Sequence, residues 1–174
     1  MAAPAFVTTL QAQIGHEFNA HQQYVAIATY YDALTMPQMA ALFYAQAMEE
    51  RDHAMMMVQY LLDADEKVVI PALDAPQIDF ADVVEPVRLA LEQEKRVTEQ
   101  INELTRIARE ANDFASDQFM QWFIKEQVEE VAKMSDLLAV VTRSAGDYER
   151  IEDWIAREET GEGADPTAPP IAGA

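Results

Sequence analysis

Apolar residues recur at helical spacing through four long stretches of the chain. Leu10, Ile14, Tyr24, Ala28 and Tyr31 share one face of a first helix, predicted from about Ala5 to Ala33 after Pro4. Phe43, Ala47, Ala54, Met57 and Leu61 form the stripe of a second, with Pro37 in its first turn and an end near Ala64. Val87, Leu91, Val97, Ile101 and Leu104 mark a third, which starts near Val84 with Pro86 in its first turn and runs to about Ala111. Asn112 and Asp113 make a turn and supply a cap. A fourth helix then runs from about Phe114 to Arg143 on Met120, Phe123, Ile124, Val131, Met134, Leu138 and Val141. Gly146 ends it. A short fifth helix is predicted from Asp147 to about Glu159, with Ile151, Trp154 and Ile155 on one side.

Loop lengths turn these helices into a topology. Short turns make antiparallel hairpins of helices one and two and of helices three and four. The proline-marked segment from Asp65 to Asp82, with Val68, Val69 and Ile70, separates the hairpins. Extended, it reaches up to ~60 Å, enough to run the length of a ~40 Å helix. The expectation is an all-α four-helix bundle with a long crossover between helices 2 and 3 and a short C-terminal fifth helix. Residues 1–160 make one domain, and the Gly/Ala/Pro-rich residues 161–174 a flexible tail.

Composition narrows the chemistry. A net charge of −19 disfavours nucleic acid and anionic membranes, and suits either attraction of cations or simple solubility. With no Cys, disulfides, thiolate zinc sites and iron–sulfur clusters are excluded, so any metal site must use oxygen and imidazole. No signal peptide and no apolar run of membrane-spanning length is found, and a cytoplasmic protein is expected.

Acids interrupt the apolar stripes. Glu17, Glu50, Glu94 and Glu130 fall one to each long helix, on the face that should be buried, with His53 and Gln127 beside them. Counted at 1.5 Å per residue from one end of the bundle, they lie at ~24, ~20, ~15 and ~18–20 Å, one mid-bundle layer. Buried carboxylates must be protonated, paired or neutralised by metal. No Lys or Arg shares these faces, and two divalent cations satisfy the layer with oxygen-rich ligation. Glu50-x-x-His53 alone is a weak signal; four acids at one height are a strong one.

The segments Gly15-His16-Glu17-Phe18, Gln22-Gln23-Tyr24, Ala47-Met48-Glu49-Glu50-Arg51-Asp52-His53-Ala54 and Gln118 to Phe123, leading into Glu126-Gln127-Val128-Glu129-Glu130, carry a family resemblance. From about residue 6 to 158 the chain resembles the bacterial non-haem ferritins, most of all actinobacterial members. That resemblance implies a first iron on Glu17, Glu50 and His53, with Glu50 bridging to a second held by Glu94 and Glu130, and Gln127 beside them. It makes Tyr24 an electron donor near the site, or else a packed core tyrosine with a hydrogen-bonded hydroxyl. Glu49, Glu126 and Glu129 match a third iron position, or form a solvated acidic face. It also implies a homo-oligomeric 24-mer shell, in which the fifth helix lines the fourfold axes or simply docks on the bundle end.

The function so implied is iron storage and detoxification: a non-haem di-iron ferroxidase oxidising Fe(II) to Fe(III) with O2 or H2O2. A haem-containing bacterioferritin is one alternative. That relative carries a second Glu-x-x-His where this chain has Gln127-x-x-Glu130, and its haem-ligating Met follows the second-helix Glu, where Arg51 stands here. A metal-free helical-bundle scaffold is another. An encapsulating shell is a further candidate partner, bound through the tail.

Overall fold

The computed structural model describes residues 2–144, 146–158 and 165–173. Five helices follow one another: α1 (Pro4–Ala33), α2 (Pro37–Asp63), α3 (Glu85–Glu110), α4 (Phe114–Arg143) and α5 (Tyr148–Glu158). Among the described residues there is no strand. Every end lies within a residue or two of its predicted place; Glu159 lies outside the described residues.

Local chemistry explains where the helices start and stop. Pro4, Pro37 and Pro86 occupy first-turn positions, where a missing N–H is harmless. At α4 the Asp113 carboxylate accepts from Ser116 N at 3.2 Å and Ser116 Oγ at 2.6 Å. Its Oδ2 also accepts from Ala3 N at 2.8 Å, tying the start of the chain to the far hairpin. Helices α1, α2 and α3 each end in a left-handed residue, Thr35, Asp65 and Asn112, with φ of 60, 59 and 55°. The next residue closes the helix backwards in each case: Met36 N to Tyr31 O, Glu66 N to Leu61 O and Asp113 N to Ala108 O, at 2.9–3.0 Å. Glycine usually fills that position; here none does.

The crossover runs parallel to α1 along a stripe spaced four residues apart. Gln11 Nε2 donates to Lys67 O, and Asn19 Oδ1 accepts from Asp74 N. Gln23 makes a reciprocal pair with the Gln77 backbone, both bonds 2.9 Å. Between them Gly15 faces Pro71, where an added Cβ would stand 2.6 Å from the ring Cγ. Tyr31 OH donates to Val83 O at 2.7 Å as the crossover arrives at the far end.

Two apolar cores fill the bundle. One, around Tyr31, Phe43, Val87 and Val141, is closed by Ile151 and Ile155 of α5. The other gathers Phe6, Leu10, Leu61, Leu104 and Met120. Helix α5 docks on the bundle end, where the Glu152 carboxylate accepts from Gln38 N and Met39 N at the start of α2. Residues 165–173, within the segment expected to be a flexible tail, lie against the bundle. Asp165 accepts from Trp122 Nε1 at 3.2 Å, Ala172 N donates to Met55 O at 3.2 Å, and Ala168 and Ile171 pack on the second core. Apolar side chains and a backbone donor anchor a segment whose composition alone reads as loose. Residues 161–164 and 174 lie outside the described residues.

Candidate metal centre

Between the two cores lies a polar layer. Glu17 of α1, Glu50 of α2, Glu94 of α3 and Glu130 of α4 are each 3% exposed or less, as are Gln127 and Gln46; His53 is 4% exposed. Four acids from four helices share the interior. Glu17, Glu50 and His53 converge most tightly, offering ligand atoms within 4.8 Å of one another. Glu94 and Glu130 stand outside that tight cluster but are tied into the same layer through hydrogen bonds.

Neutral donors hold the acids. Gln13 Nε2 donates to Glu17 Oε1 at 2.9 Å, and Gln46 Nε2 to Glu130 Oε2 at 3.0 Å. Gln127 Nε2 lies 3.4 Å from Glu94 Oε2, and Thr98 Oγ1 donates to Gln127 Oε1 at 3.0 Å. Tyr24, fully buried, donates its hydroxyl to Glu94 Oε1. Among the described residues no Lys or Arg enters the layer. Sequence reasoning passed over Gln13, Gln46 and Thr98, yet each stands four residues from an acid of the layer and so shares its helix face.

Burial dominates the proton affinities. It pushes the Glu50 carboxyl well up, with the Glu94 and Glu17 charges adding to it. Glu94 rises to about 7, burial outweighing the hydrogen bond from Tyr24. Glu130 rises to about 8, again through burial, against the opposing pull of Lys133. The His53 ring is pushed down by burial and so stays neutral, the form that binds metal. Its Nδ1 stands 3.3 Å from Glu50 Oε2. The Tyr24 phenol rises through burial, helped by the Glu94 charge.

Acceptors are left over. Glu17 Oε2, Glu50 Oε1 and Gln46 Oε1 are enclosed without a hydrogen-bond partner. The Glu94 and Glu17 charges act against ionisation of Glu50. Protons or cations are therefore the two ways of making this layer tolerable. A donor set of hard oxygens plus one imidazole fits divalent iron.

Glu49, Glu126 and Glu129 sit differently. They line a cavity of about 540 Å³ on the α2–α4 side, with His53, Trp122 and Asp165 in its wall. They do not converge as Glu17, Glu50 and His53 do. Glu49 faces Lys133 and Glu129 faces Lys125, each at 3.8 Å, while Glu126 is half-buried and its carboxyl is raised by burial.

Comparison with known proteins bears on this geometry. Residues 7–144 match the ferritin family, described as a ferritin-like domain. The chain belongs to the ferritin family. It is 52% identical over 168 residues to ferritin BfrB of Mycolicibacterium smegmatis, covering 97% of this chain and 93% of that one. It is 35% identical over 147 residues to a bacterial non-heme ferritin of Staphylococcus aureus, covering 84% of this chain and 89% of that one. Among solved structures, an open pore ferritin from Archaeoglobus fulgidus superposes with a TM-score of 0.86 at 26% identity, over 90% of this chain and 97% of that one. The resemblance to bacterial non-haem ferritins, actinobacterial ones included, is met. In this ferritin the polar layer belongs to the same bundle that those relatives share, and no described helix is long and apolar enough to cross a membrane.

Proposed function

We propose that this ferritin takes up Fe(II) at the buried layer, oxidises it to Fe(III), and stores the ferric product inside a hollow homo-oligomeric shell. The observation that carries the proposal is the convergence of Glu17, Glu50, Glu94 and Glu130 in a dry interior, with acceptor oxygens unpartnered and no cationic side chain to pair with them. Iron is the substrate. Glu17, Glu50 and His53 hold one ion; Glu50 bridges towards Glu94 and Glu130, which hold the second with Gln127 beside them. Hard anionic oxygens stabilise Fe(III) over Fe(II) and so favour oxidation. Two Fe(II) ions held together give two electrons to O2, which takes up two protons and leaves as hydrogen peroxide. Alternatively, two Fe(II) and two protons reduce hydrogen peroxide to two waters. When the peroxide meets a single Fe(II), Tyr24 supplies the second electron: its phenolic proton passes to Glu94, which accepts its hydrogen bond, and a tyrosyl radical remains. Gln127, a neutral ligand, lets the product ion leave for the mineral.

Several finer assignments accompany this one. Glu49, Glu126 and Glu129 form a third iron position at the cavity beside His53, supported by their shared lining of it. The assembled shell is a 24-mer whose fourfold axes are lined by α5, and it works in the cytoplasm. Family membership supports iron storage and assembly; the excess of 31 acidic over 12 basic residues supports drawing cations inward.

A haem-binding reading draws on one relative, named bacterioferritin BfrB in Mycobacterium tuberculosis, 48% identical over 97% of this chain and 93% of that one. Against it, Arg51 follows Glu50, is exposed, and pairs with Asp52 at 2.7 Å. A Soret band in the purified protein would decide for haem. The test of the iron reading is aerobic addition of Fe(II) while ferric absorbance is followed. Wild type should show a rapid rise that Glu50→Ala and His53→Ala slow strongly, with assembly intact. Equal rates in all three proteins would defeat the proposal.

A further inference from the structure

Gln46 differs from the other glutamines of the layer. It is fully buried on α2, one turn before Glu50, and reaches across the bundle to α4. Gln13 donates to Glu17 and also to Gln100 Oε1 at 3.1 Å. The amide of Gln127 is satisfied at both ends, by Glu94 and Thr98. Gln46 spends its Nε2 on Glu130 Oε2 and leaves its carbonyl Oε1 without any donor. An enclosed, unpartnered carbonyl is destabilising. An apolar side chain of similar volume would remove that orphan but leave the buried Glu130 Oε2 without its donor, so what the amide at 46 serves is Glu130.

The charge balance says what the amide does. A Lys or Arg at 46 would also bind Glu130, but its charge would compete with the incoming cation. A leucine would leave the Glu130 carboxylate free to rotate. A neutral N–H orients one oxygen of Glu130 and leaves the layer its negative charge. We propose that Gln46 is a positioning residue for the second ion: it fixes Glu130 from the opposite helix, so that the free carboxylate oxygen is presented to the half of the centre away from His53. Gln13 serves Glu17 and the first ion in the same way. Orienting partners of this kind typically change metal affinity by about 10–100-fold when removed. This inference rests on the two-ion reading of the layer.

Zn(II), which is redox-silent, is the probe. Chelator-stripped, assembled wild type, Gln46→Met and Gln13→Met are titrated by calorimetry, and crystals at limiting Zn(II) give an anomalous occupancy at each position. For Gln46→Met the ion beside Glu130 should weaken about 10–100-fold, while the ion on Glu17 and His53 stays as in wild type. Gln13→Met should reverse the pattern. Each substitution leaves a buried carboxylate oxygen without its donor, so the melting temperature is read beside every titration, and Gln46→Leu repeats the test if Met packs badly. Unchanged occupancies, or equal weakening at both positions with a lowered melting temperature, would overturn the assignment while leaving the two-ion centre standing. A wild type with no Zn(II) in the layer would sink the centre itself, and this inference with it.

Discussion

Replacing Glu130 by Gln should stabilise the metal-free protein while damaging its iron chemistry. Glu130 is 3% exposed, and burial raises its carboxyl to about 8 from an ordinary value near 4.5. A carboxyl that binds its proton more tightly folded than unfolded contributes stability that is fully present below the unfolded pKa. That contribution is lost as pH climbs through the folded value. With about 1.4 kcal/mol per pK unit, keeping Glu130 inside the fold costs up to about 5 kcal/mol above pH 8, and about 1 kcal/mol near pH 5. A glutamine removes the ionisation, and its Oε1 can still accept from Gln46 Nε2. Guanidinium unfolding of chelator-treated wild type and Glu130→Gln, near pH 5 and near pH 8.5, measures the difference. The variant should exceed wild type by no more than about 1 kcal/mol at the lower pH and by several kcal/mol at the higher, while losing an ion and slowing Fe(II) oxidation. A variant no more stable at high pH, or a gap independent of pH, would refute the view that this acid is held against its own folding preference.

Other outcomes follow from single contacts. Tyr24→Phe removes the hydroxyl that Glu94 accepts, so the slow stages of repeated Fe(II) oxidation should fall and any tyrosyl radical signal vanish; an unchanged multi-turnover trace would reduce Tyr24 to packing. Gly15→Ala sets a methyl 2.6 Å from Pro71 Cγ, and its helical gain should be outweighed by overpacking of about 1–3 kcal/mol, read as a lower denaturation midpoint. Glu152→Ala frees Gln38 N and Met39 N at the start of α2, so about 1 kcal/mol of capping is lost, and faster amide exchange across 148–158 should report α5 loosening.

Much of this arrangement is legible in the residues. The α1 to α4 boundaries follow from proline positions and stripe periodicity, because both act within one turn of helix. The layer of acids is legible for a stronger reason: a charge on a buried face is rare enough that four at one computed height constrain each other. What escapes the sequence is whatever depends on one element meeting another. The crossover's seat on Gln11, Gly15, Asn19 and Gln23 is a four-residue repeat on α1, but a polar repeat reads as solvent-facing until its partner is known. Gln46 and Gln13 are hidden because glutamine on a half-apolar face is ordinary; only the distance to an acid makes it meaningful. The contacts of residues 165–173 escape the sequence too. Proline and alanine suggest a loose strand, whereas Asp165 finds Trp122 and Lys125, and Ala172 finds the Met55 carbonyl, pairings no local pattern announces.

The most direct test of the centre is anomalous diffraction at the iron edge from crystals of the assembled protein soaked anaerobically with Fe(II). Two peaks should appear within the layer, one among Glu17, Glu50 and His53 and one between Glu50, Glu94 and Glu130. A layer empty of iron, with those carboxylates bonded only to protons or to one another, would contradict the account.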